Sequence, residues 1–190
     1  MTETTEIRVL VVDDHDMVRR GACDYLEVQP DIHVVAQAGT GEEAIRLALD
    51  KMRQGVGGPF GAVIVQDGQV VGRGWNQVTS TNDPTAHAEV MAIREACKRL
   101  KTFQLNDCDL YTSCEPCPMC LAAIYWARIP TVFYGNTRAD AAAIGFDDDF
   151  IYQQVPLPPE KRAIKMSPLL RDDAQATFKA WAGKSDKVRY

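Results

Sequence analysis

The sequence predicts an α/β protein, because short runs of β-branched residues alternate with segments of helical spacing along most of the chain. The strand candidates are residues 7–12, 32–36, 60–65, 108–112 and 131–134. Residues 17–28 have helical spacing and separate the first two candidates, which predicts a βαβ unit at the N-terminus. Asp67-Gly68 follows the third candidate and predicts a hairpin to a return strand at 69–72.

The helical segments carry recognisable start signals. Thr40 and Glu43 form a T-x-x-E capping box at the start of the second helix. Asp83-Pro84 and Cys117-Pro118 each place a capping residue before proline, which is favoured at the first helical position. Helices are therefore predicted over 86–98 and 118–128, with further helices over 139–144 and 169–182.

The composition limits the kind of protein this chain can be. Of its net charge of −5, the first 42 residues hold nine acids and only three bases, whereas the remainder is almost neutral. The larger part therefore has no basic footprint, and a nucleic-acid partner is not expected. No apolar run is long enough to cross a bilayer, and the polar, acidic N-terminus is unlike a signal peptide. Three of the six cysteines crowd into residues 114–120, which favours metal binding in a reducing cytoplasm.

Two short motifs point to a metal centre. His87-Ala88-Glu89 reads H-x-E, and residues 116–120 read P-C-x-x-C. His87, Cys117 and Cys120 would supply three ligands suited to tetrahedral Zn²⁺, and three protein ligands leave the fourth position open, as in catalytic sites. Zinc lowers the pKa of a bound water to about 7, and Glu89 could move the proton to a leaving amine. This pair of motifs is typical of zinc deaminases.

A structural zinc site is the alternative interpretation. Cys114 lies three residues before Cys117 and could act as a fourth ligand, which would close the coordination shell. The catalytic interpretation is preferred, since a closed site would leave Glu89 without a function. A helix start at Cys117 also favours the thiolate form that a zinc ligand needs.

From about residue 44 to the C-terminus, the chain resembles bacterial guanine deaminases of the cytidine-deaminase-like superfamily. The resemblance is carried by residues 57–65, 81–90, 111–120, 123–127 and 145–148, together with the terminal Tyr190. The motifs in the middle of the chain fit several members of the superfamily. Residues 145–148, Gly-Phe-Asp-Asp, and Tyr190 are what favour guanine as the substrate.

The resemblance implies a three-layer α/β/α fold with a mixed sheet of about five strands. It implies hydrolysis of guanine to xanthine and ammonia by zinc-activated water, with one Zn²⁺ per chain on His87, Cys117 and Cys120. It also implies a homodimer that exchanges its C-terminal segments. Glu89 and Asp148 are the implied catalytic residues. The implied substrate-binding residues are Asn76, Phe60, Ala88, Trp126 and Tyr190.

Several of these residues also have a simpler interpretation. Phe60 at a strand start and Trp126 in mid-helix could both be core residues by position alone. Asn76 could cap a turn, although its amide offers the donors and acceptors that a purine needs. By sequence alone, Tyr190 would be a frayed chain end.

Residues 1–45 resemble the start of a bacterial response-regulator receiver domain. The resemblance rests on residues 9–15 and 34–44, and the family's magnesium-binding acids correspond to Asp13 and Asp14. No apolar strand ending in a phosphoacceptor Asp follows, so no phosphorelay activity is expected, and the two acids are interpreted as solvated helix caps. We predict a receiver-like βαβ segment over 1–42 and the deaminase domain over 43–190.

Two other functions remain as alternatives. A tRNA adenosine deaminase would share the His and Cys motifs, but it would need a basic surface, and residues 171–190 hold only five bases against three acids. A signalling protein would use the receiver-like segment either as its functional part or to modulate the deaminase.

Overall fold

The computed structural model describes residues 7–11, 16–37, 40–146 and 148–188. The predicted positions Asp13, Asp14 and Tyr190 lie outside these ranges, as does Asp147. The strands are β1 (Ile7–Val11), β2 (Ile32–Gln37), β3 (Gly61–Gln66), β4 (Gln69–Trp75), β5 (Cys108–Cys114) and β6 (Thr131–Asn136). The helices are α1 (Asp16–Glu27), α2 (Thr40–Arg53), α3 (Val78–Thr81), α4 (Ala88–Leu100), α5 (Pro118–Ala127), α6 (Arg138–Ala143), α7 (Asp149–Gln154) and α8 (Arg171–Gly183), and a 3-10 turn covers Pro159–Lys161.

The central sheet is mixed and has the strand order β4-β3-β5-β6. Strand β3 is antiparallel to both β4 and β5, whereas β6 is parallel to β5. The predicted α/β class is confirmed, with four strands in this sheet where about five were expected. The difference arises after β6, where the described chain folds into α6 and α7 and adds no further strand.

Helices cover both faces of the sheet, and the alternation along β3 shows why. Ala62 and Ile64 point into one buried cluster with residues of α4 and α5, whereas Val63 and Val65 point into a second cluster with Ala44 of α2. Successive strand residues face opposite sides of a sheet, so an unbroken apolar run requires a helical layer on each side. This arrangement is the expected three-layer α/β/α fold.

Close backbone contact fixes both helical layers. A Cβ atom at Gly74 on β4 would lie 2.0 Å from the carbonyl oxygen of Ala88, the first residue of α4. On the other face, a Cβ atom at Gly61 would lie 2.3 Å from the carbonyl oxygen of Ala44 in α2. Glycine at these positions lets each helix lie directly on the sheet. The contact at Gly74 holds the N-terminus of α4 at Ala88, the middle residue of the H-x-E motif.

The N-terminal residues form the predicted βαβ unit. Strands β1 and β2 pair in parallel as a separate two-stranded sheet, and α1 packs against both strands. Helix α2 begins before the predicted boundary at residue 42 and packs against β3 and β5 of the central sheet. The division into 1–42 and 43–190 stays a prediction.

The predicted start of the H-x-E helix was wrong. Asp83 does not cap it, because α4 begins at Ala88 and His87 is its N-cap. The Asp83 carboxylate instead accepts hydrogen bonds from the backbone N–H and the hydroxyl of Thr85, which stabilises a separate turn. The segment between β4 and this turn also contains the short helix α3. No helix in the described ranges is long and apolar enough to span a membrane.

Candidate active site

The N-termini of α4 and α5 meet at a cluster of three metal-binding side chains. Cys117 is the N-cap of α5 and Pro118 its first residue, as predicted. The Nδ1 atom of His87 lies 3.6 Å from Cys117 Sγ and 3.5 Å from Cys120 Sγ. The ligand atoms of the three residues all lie within 4.8 Å of one another. The predicted ligands therefore converge on one point at the carboxyl end of β5.

The cluster fits zinc in both chemistry and spacing. One imidazole nitrogen and two thiol sulfurs are ligands that zinc prefers. Bond lengths of about 2.0 Å to nitrogen and 2.3 Å to sulfur at a tetrahedral angle require N···S separations of roughly 3.5 Å. The separations between His87 and the two cysteines match this value. Together the three residues form a potential zinc site.

Cys114 does not belong to this cluster, although it lines the same cavity. Its thiol donates to the carbonyl oxygen of Thr137 at 3.6 Å. Burial raises the pKa of the Cys114 thiol to about 11, so the group stays protonated at neutral pH. A protonated thiol turned toward a carbonyl is a poor zinc ligand, and the geometry therefore favours the open, three-ligand arrangement.

The two ligand cysteines have very different proton affinities without a metal. A hydrogen bond from Cys120 is the main reason that the pKa of Cys117 falls to about 4, and His87 lowers it further. The same hydrogen bond, together with burial, raises the pKa of Cys120. Cys117 is thus a thiolate at neutral pH, as its position at a helix N-terminus predicted.

Glu89 lies beside this cluster and is almost completely buried, with a relative exposure of 6%. It occupies the first turn of α4, two residues after His87. Burial is the main cause that raises the pKa of the Glu89 carboxyl group. A raised pKa means that the carboxyl group holds a proton more readily than an exposed glutamate does, which is a property that a proton shuttle needs.

A cavity of about 530 Å³ opens onto the cluster. It is lined by seven of the predicted site residues: Phe60, Asn76, His87, Ala88, Glu89, Cys117 and Asp148. These residues come from the start of β3, the end of β4, the starts of α4 and α5, and the N-cap of α7. The fold therefore gathers positions spread over 89 residues of sequence around one space large enough for a small planar ligand.

Asn76 and Phe60 are held firmly in the cavity wall. The side chain of Asn76 is 8% exposed, and its Oδ1 accepts a hydrogen bond of 3.3 Å from the backbone N–H of Val78. Its backbone N–H donates to the carbonyl oxygen of Phe60 at 3.0 Å, which joins the two residues. The amide NH₂ group of Asn76 remains available as a donor for a ligand.

Sequence reasoning assigned no role to Phe146, which also lines the cavity. Its ring packs edge-to-face against Phe60, with ring centroids 4.8 Å apart and an interplanar angle of 88°. Phe146 lies within the Gly-Phe-Asp-Asp motif that carried the family resemblance. Its place in this motif is the one feature of the sequence that could have indicated a role in the site. The two rings form an apolar part of the cavity wall, and Phe146 lies two residues before Asp148 in the sequence.

One predicted substrate-binding residue, Trp126, does not line this cavity. Trp126 is 63% exposed and lines a second groove on the chain, together with Phe103 and Val188. Trp126 lies six positions after Cys120. This spacing corresponds to one full turn of the helix plus roughly 240°, so the two side chains leave α5 in different directions. Tyr190 lies outside the described residues.

The chain matches a known family over more than half of its length. Residues 39–136 match the model of the cytidine and deoxycytidylate deaminase zinc-binding region, and the chain belongs to this family of zinc-binding deaminases. The match begins at residue 39 and gives no support to the receiver-like resemblance of the preceding residues.

The relatives of the chain include guanine deaminases. It is 53% identical to the guanine deaminase of Bacillus subtilis over 149 residues, which cover 78% of this chain and 96% of that protein. The X-ray structure of guanine deaminase from Bacillus subtilis matches with a TM-score of 0.78 at 52% identity, covering 80% of this chain and 97% of the other. A tRNA-specific adenosine deaminase of Agrobacterium fabrum is 51% identical over 86 residues, 45% of this chain and 57% of that protein.

Proposed function

We propose that this protein hydrolyses guanine to xanthine and ammonia. The observation that carries the proposal is the buried carboxyl group of Glu89 beside the His87, Cys117 and Cys120 cluster, at the base of a cavity sized for a small planar ligand. The high identity to a guanine deaminase over nearly the whole of that protein supports guanine as the base.

In the proposed reaction, water supplies the oxygen of the product and the amino group of guanine leaves as ammonia. His87, Cys117 and Cys120 would hold Zn²⁺, which would supply the Lewis acidity that lowers the pKa of a bound water. Glu89 accepts a proton from this water and returns it to the departing amine. Each proton that Glu89 accepts is passed on, so the residue is regenerated in every cycle.

The other cavity residues have proposed roles in binding. The amide of Asn76 donates to an acceptor on the base, while Phe60 and the backbone at Ala88 bound the ring plane. Asp148, at the N-cap of α7, accepts from the polar edge of the purine and assists proton transfer. These roles follow the family resemblance, and the presence of all four residues in one cavity supports them.

The deciding experiment measures ammonia release and zinc content on the same purified full-length sample. The substrates are guanine, adenine, cytosine, cytidine and a tRNA stem-loop bearing adenosine. We expect turnover of guanine alone, with about one zinc per chain. Turnover of the stem-loop without guanine turnover would replace the proposal with tRNA adenosine deamination. That alternative is weaker, because the sequence match to the Agrobacterium fabrum tRNA-specific adenosine deaminase covers 45% of this chain, against 78% for the Bacillus subtilis guanine deaminase.

We also propose that the protein is a homodimer with exchanged C-terminal segments. Helix α8 buries none of its residues against its own chain, and Phe178 is 71% exposed. An isolated helix of this length is marginal in water, so a partner surface is required to stabilise it. The exposed Tyr125 and Trp126 on α5 provide apolar surface for a second subunit.

Sedimentation would test the dimer. The expected mass is twice the 21.1 kDa of one chain, and a monomer that retains full activity would refute the exchange. If the exchange occurs, Trp126 and Tyr190 can reach a cavity of the partner. Co-expression of a Glu89→Gln chain with a Tyr190→Ala chain would then restore activity in mixed dimers.

We further propose that residues 1–42 are a truncated receiver-like segment without phosphorelay activity, on a protein of the reducing cytoplasm. All six cysteines are unpaired, which supports the reducing location. A small-molecule phosphodonor should leave the segment unlabelled, and labelling would revive the signalling alternative. Comparison of the full chain with residues 43–190 would show whether the segment modulates turnover.

A further inference from the structure

The loop before α5 is bonded directly to the chain that follows β6. The backbone N–H of Glu115 donates to the carbonyl oxygen of Asn136 at 2.8 Å. In return, the Glu115 carboxylate accepts from the backbone N–H of Arg138 at 3.0 Å. The Cys114 thiol donates to the carbonyl oxygen of Thr137. These bonds fix the ligand loop, defined as residues 114–117, to the start of α6.

Helix α7 is connected to the same loop by one side chain. The hydroxyl of Tyr152 donates to the carbonyl oxygen of Pro116 at 3.2 Å, and Pro116 immediately precedes the ligand Cys117. The backbone N–H of Tyr152 donates to the carbonyl oxygen of Asp148 at 3.2 Å, one helical turn earlier. Tyr152 therefore joins Asp148 to the ligand loop through two consecutive hydrogen bonds.

This connection matters because α7 has no buried core of its own. The helix has six residues and buries none of them, so core packing does not define its position. Tyr152 is among its least exposed residues, and the guanidinium carbon of Arg138 lies 4.9 Å from the centre of the Tyr152 ring. The ring is thus held on one side by the cation of α6 and at its tip by the loop carbonyl.

We infer that Tyr152 is a positioning residue, whose hydroxyl bond to Pro116 sets Asp148 at the correct place relative to the ligand loop and Glu89. The inference rests on the proposed function, in which Asp148 contacts the purine. Tyr152 itself does not line the cavity among the described residues, so it acts through Asp148.

The first test is Tyr152→Phe in the full-length, zinc-loaded protein. The substitution removes one hydroxyl and keeps the ring under Arg138, so the fold and the zinc content should not change. Loss of one hydrogen bond predicts a fall in kcat/KM for guanine of roughly 3- to 10-fold. Tyr134→Phe on β6, where the side chain is 52% exposed, is the matched control and should retain wild-type activity. Unchanged kcat/KM in Tyr152→Phe would overturn the inference.

A double-mutant cycle separates positioning from a general structural role. If Tyr152 acts through Asp148, then Tyr152→Phe should cost less than about twofold in an Asp148→Asn background. The full cost in that background would show that Tyr152 acts elsewhere and would overturn the inference.

Hydrogen exchange gives a readout that does not depend on guanine turnover. Without its anchor, α7 should open more often, and amides of Asp149–Gln154 should exchange at least about fivefold faster in Tyr152→Phe, with α4 unchanged. Equal exchange in both proteins would refute the anchoring. Faster exchange in a protein that deaminates no guanine would count against the proposed function and would leave the anchoring intact.

Discussion

The Nδ1 atom of His87 lies 3.5 Å from the Sγ atom of Cys120, although 33 positions of sequence separate the two residues. The contact exists because α4 and α5 lie on the same face of the sheet and begin at the same edge. Each helix contributes its N-terminus, where the first backbone N–H groups have no partner within the helix itself. This arrangement places the Cys117 thiolate and the buried carboxyl group of Glu89 in one small volume.

Removal of the Glu89 carboxylate should abolish turnover without removing the metal. Glu89→Gln keeps the shape of the side chain, but the amide cannot accept a proton from water and release it to the amine. We expect a loss of about 10²- to 10⁴-fold in ammonia release from guanine, with zinc content unchanged. Glu95→Gln, a change at an exposed helical position whose carboxylate accepts from the backbone of Arg73, is the control. Near-normal turnover by Glu89→Gln would remove this residue from the mechanism.

The two cysteines on either side of Glu115-Pro116 should respond differently to serine substitution. Cys117→Ser replaces a thiolate ligand and should lose most of its zinc in a chelator competition. Cys114→Ser should keep about one zinc per chain, since its thiol is protonated and bonded to Thr137. Zinc loss from both variants to the same extent would favour the closed four-ligand site.

Asp148 should affect guanine turnover and leave the metal site intact. In the Asp148→Asn variant the acceptor charge is lost at the cavity wall, and the hydrogen bond proposed to the purine weakens. Because hydrogen bonds to charged groups contribute about 1.5–3 kcal/mol, we expect kcat/KM to fall by roughly 10- to 150-fold. Asp149→Asn, next in the chain but more exposed, is the control. Zinc loss from Asp148→Asn would show that the residue is structural.

Phe146 should contribute to purine binding through its contact with Phe60. Phe146→Ala removes an edge-to-face pair, which contributes about 0.5–1.5 kcal/mol beyond area burial. We expect KM for guanine to rise roughly 2- to 10-fold, with a smaller effect on kcat. Phe150→Ala on α7, where the ring is 57% exposed, should change KM less. An equal rise in both variants would indicate a general loosening of the segment.

Gly74 should be intolerant of any side chain. A Cβ atom there would meet the carbonyl oxygen of Ala88 at 2.0 Å, so Gly74→Ala must push α4 off the sheet. Overpacking of this kind costs about 1–3 kcal/mol, and the midpoint of urea unfolding should fall accordingly. Gly21→Ala in α1, where a Cβ atom would meet nothing within 4 Å, should not destabilise the protein. Equal stability of Gly74→Ala and the wild type would contradict the close contact.

The sequence was most informative where a signal depends on near neighbours. The start of α5 at Pro118 was predicted from the Cys-Pro pair, because proline is favoured at the first helical position whatever the rest of the fold does. The same rule failed at Asp83. Its carboxylate accepts a hydrogen bond from the backbone N–H of Thr85, and the helix begins only at Ala88. Asp83-Pro84 and Cys117-Pro118 carry the same local signal for a helix start. They differ in the turn that surrounds Asp83, which the dipeptide alone does not reveal.

The α/β class and the three residues of the potential zinc site, with Glu89 two positions after His87, could be predicted from the sequence alone. These follow from residue chemistry and from spacings of two to four residues, which survive in any fold that contains them. Roles in binding the base stay predictions for Asn76, Phe60, Ala88, Trp126 and Tyr190. Only the tertiary structure placed Phe146 against Phe60, directed Trp126 away from the cavity of its own chain, and joined Tyr152 to Pro116. Such contacts depend on how distant elements pack, and no local periodicity encodes the distance between them.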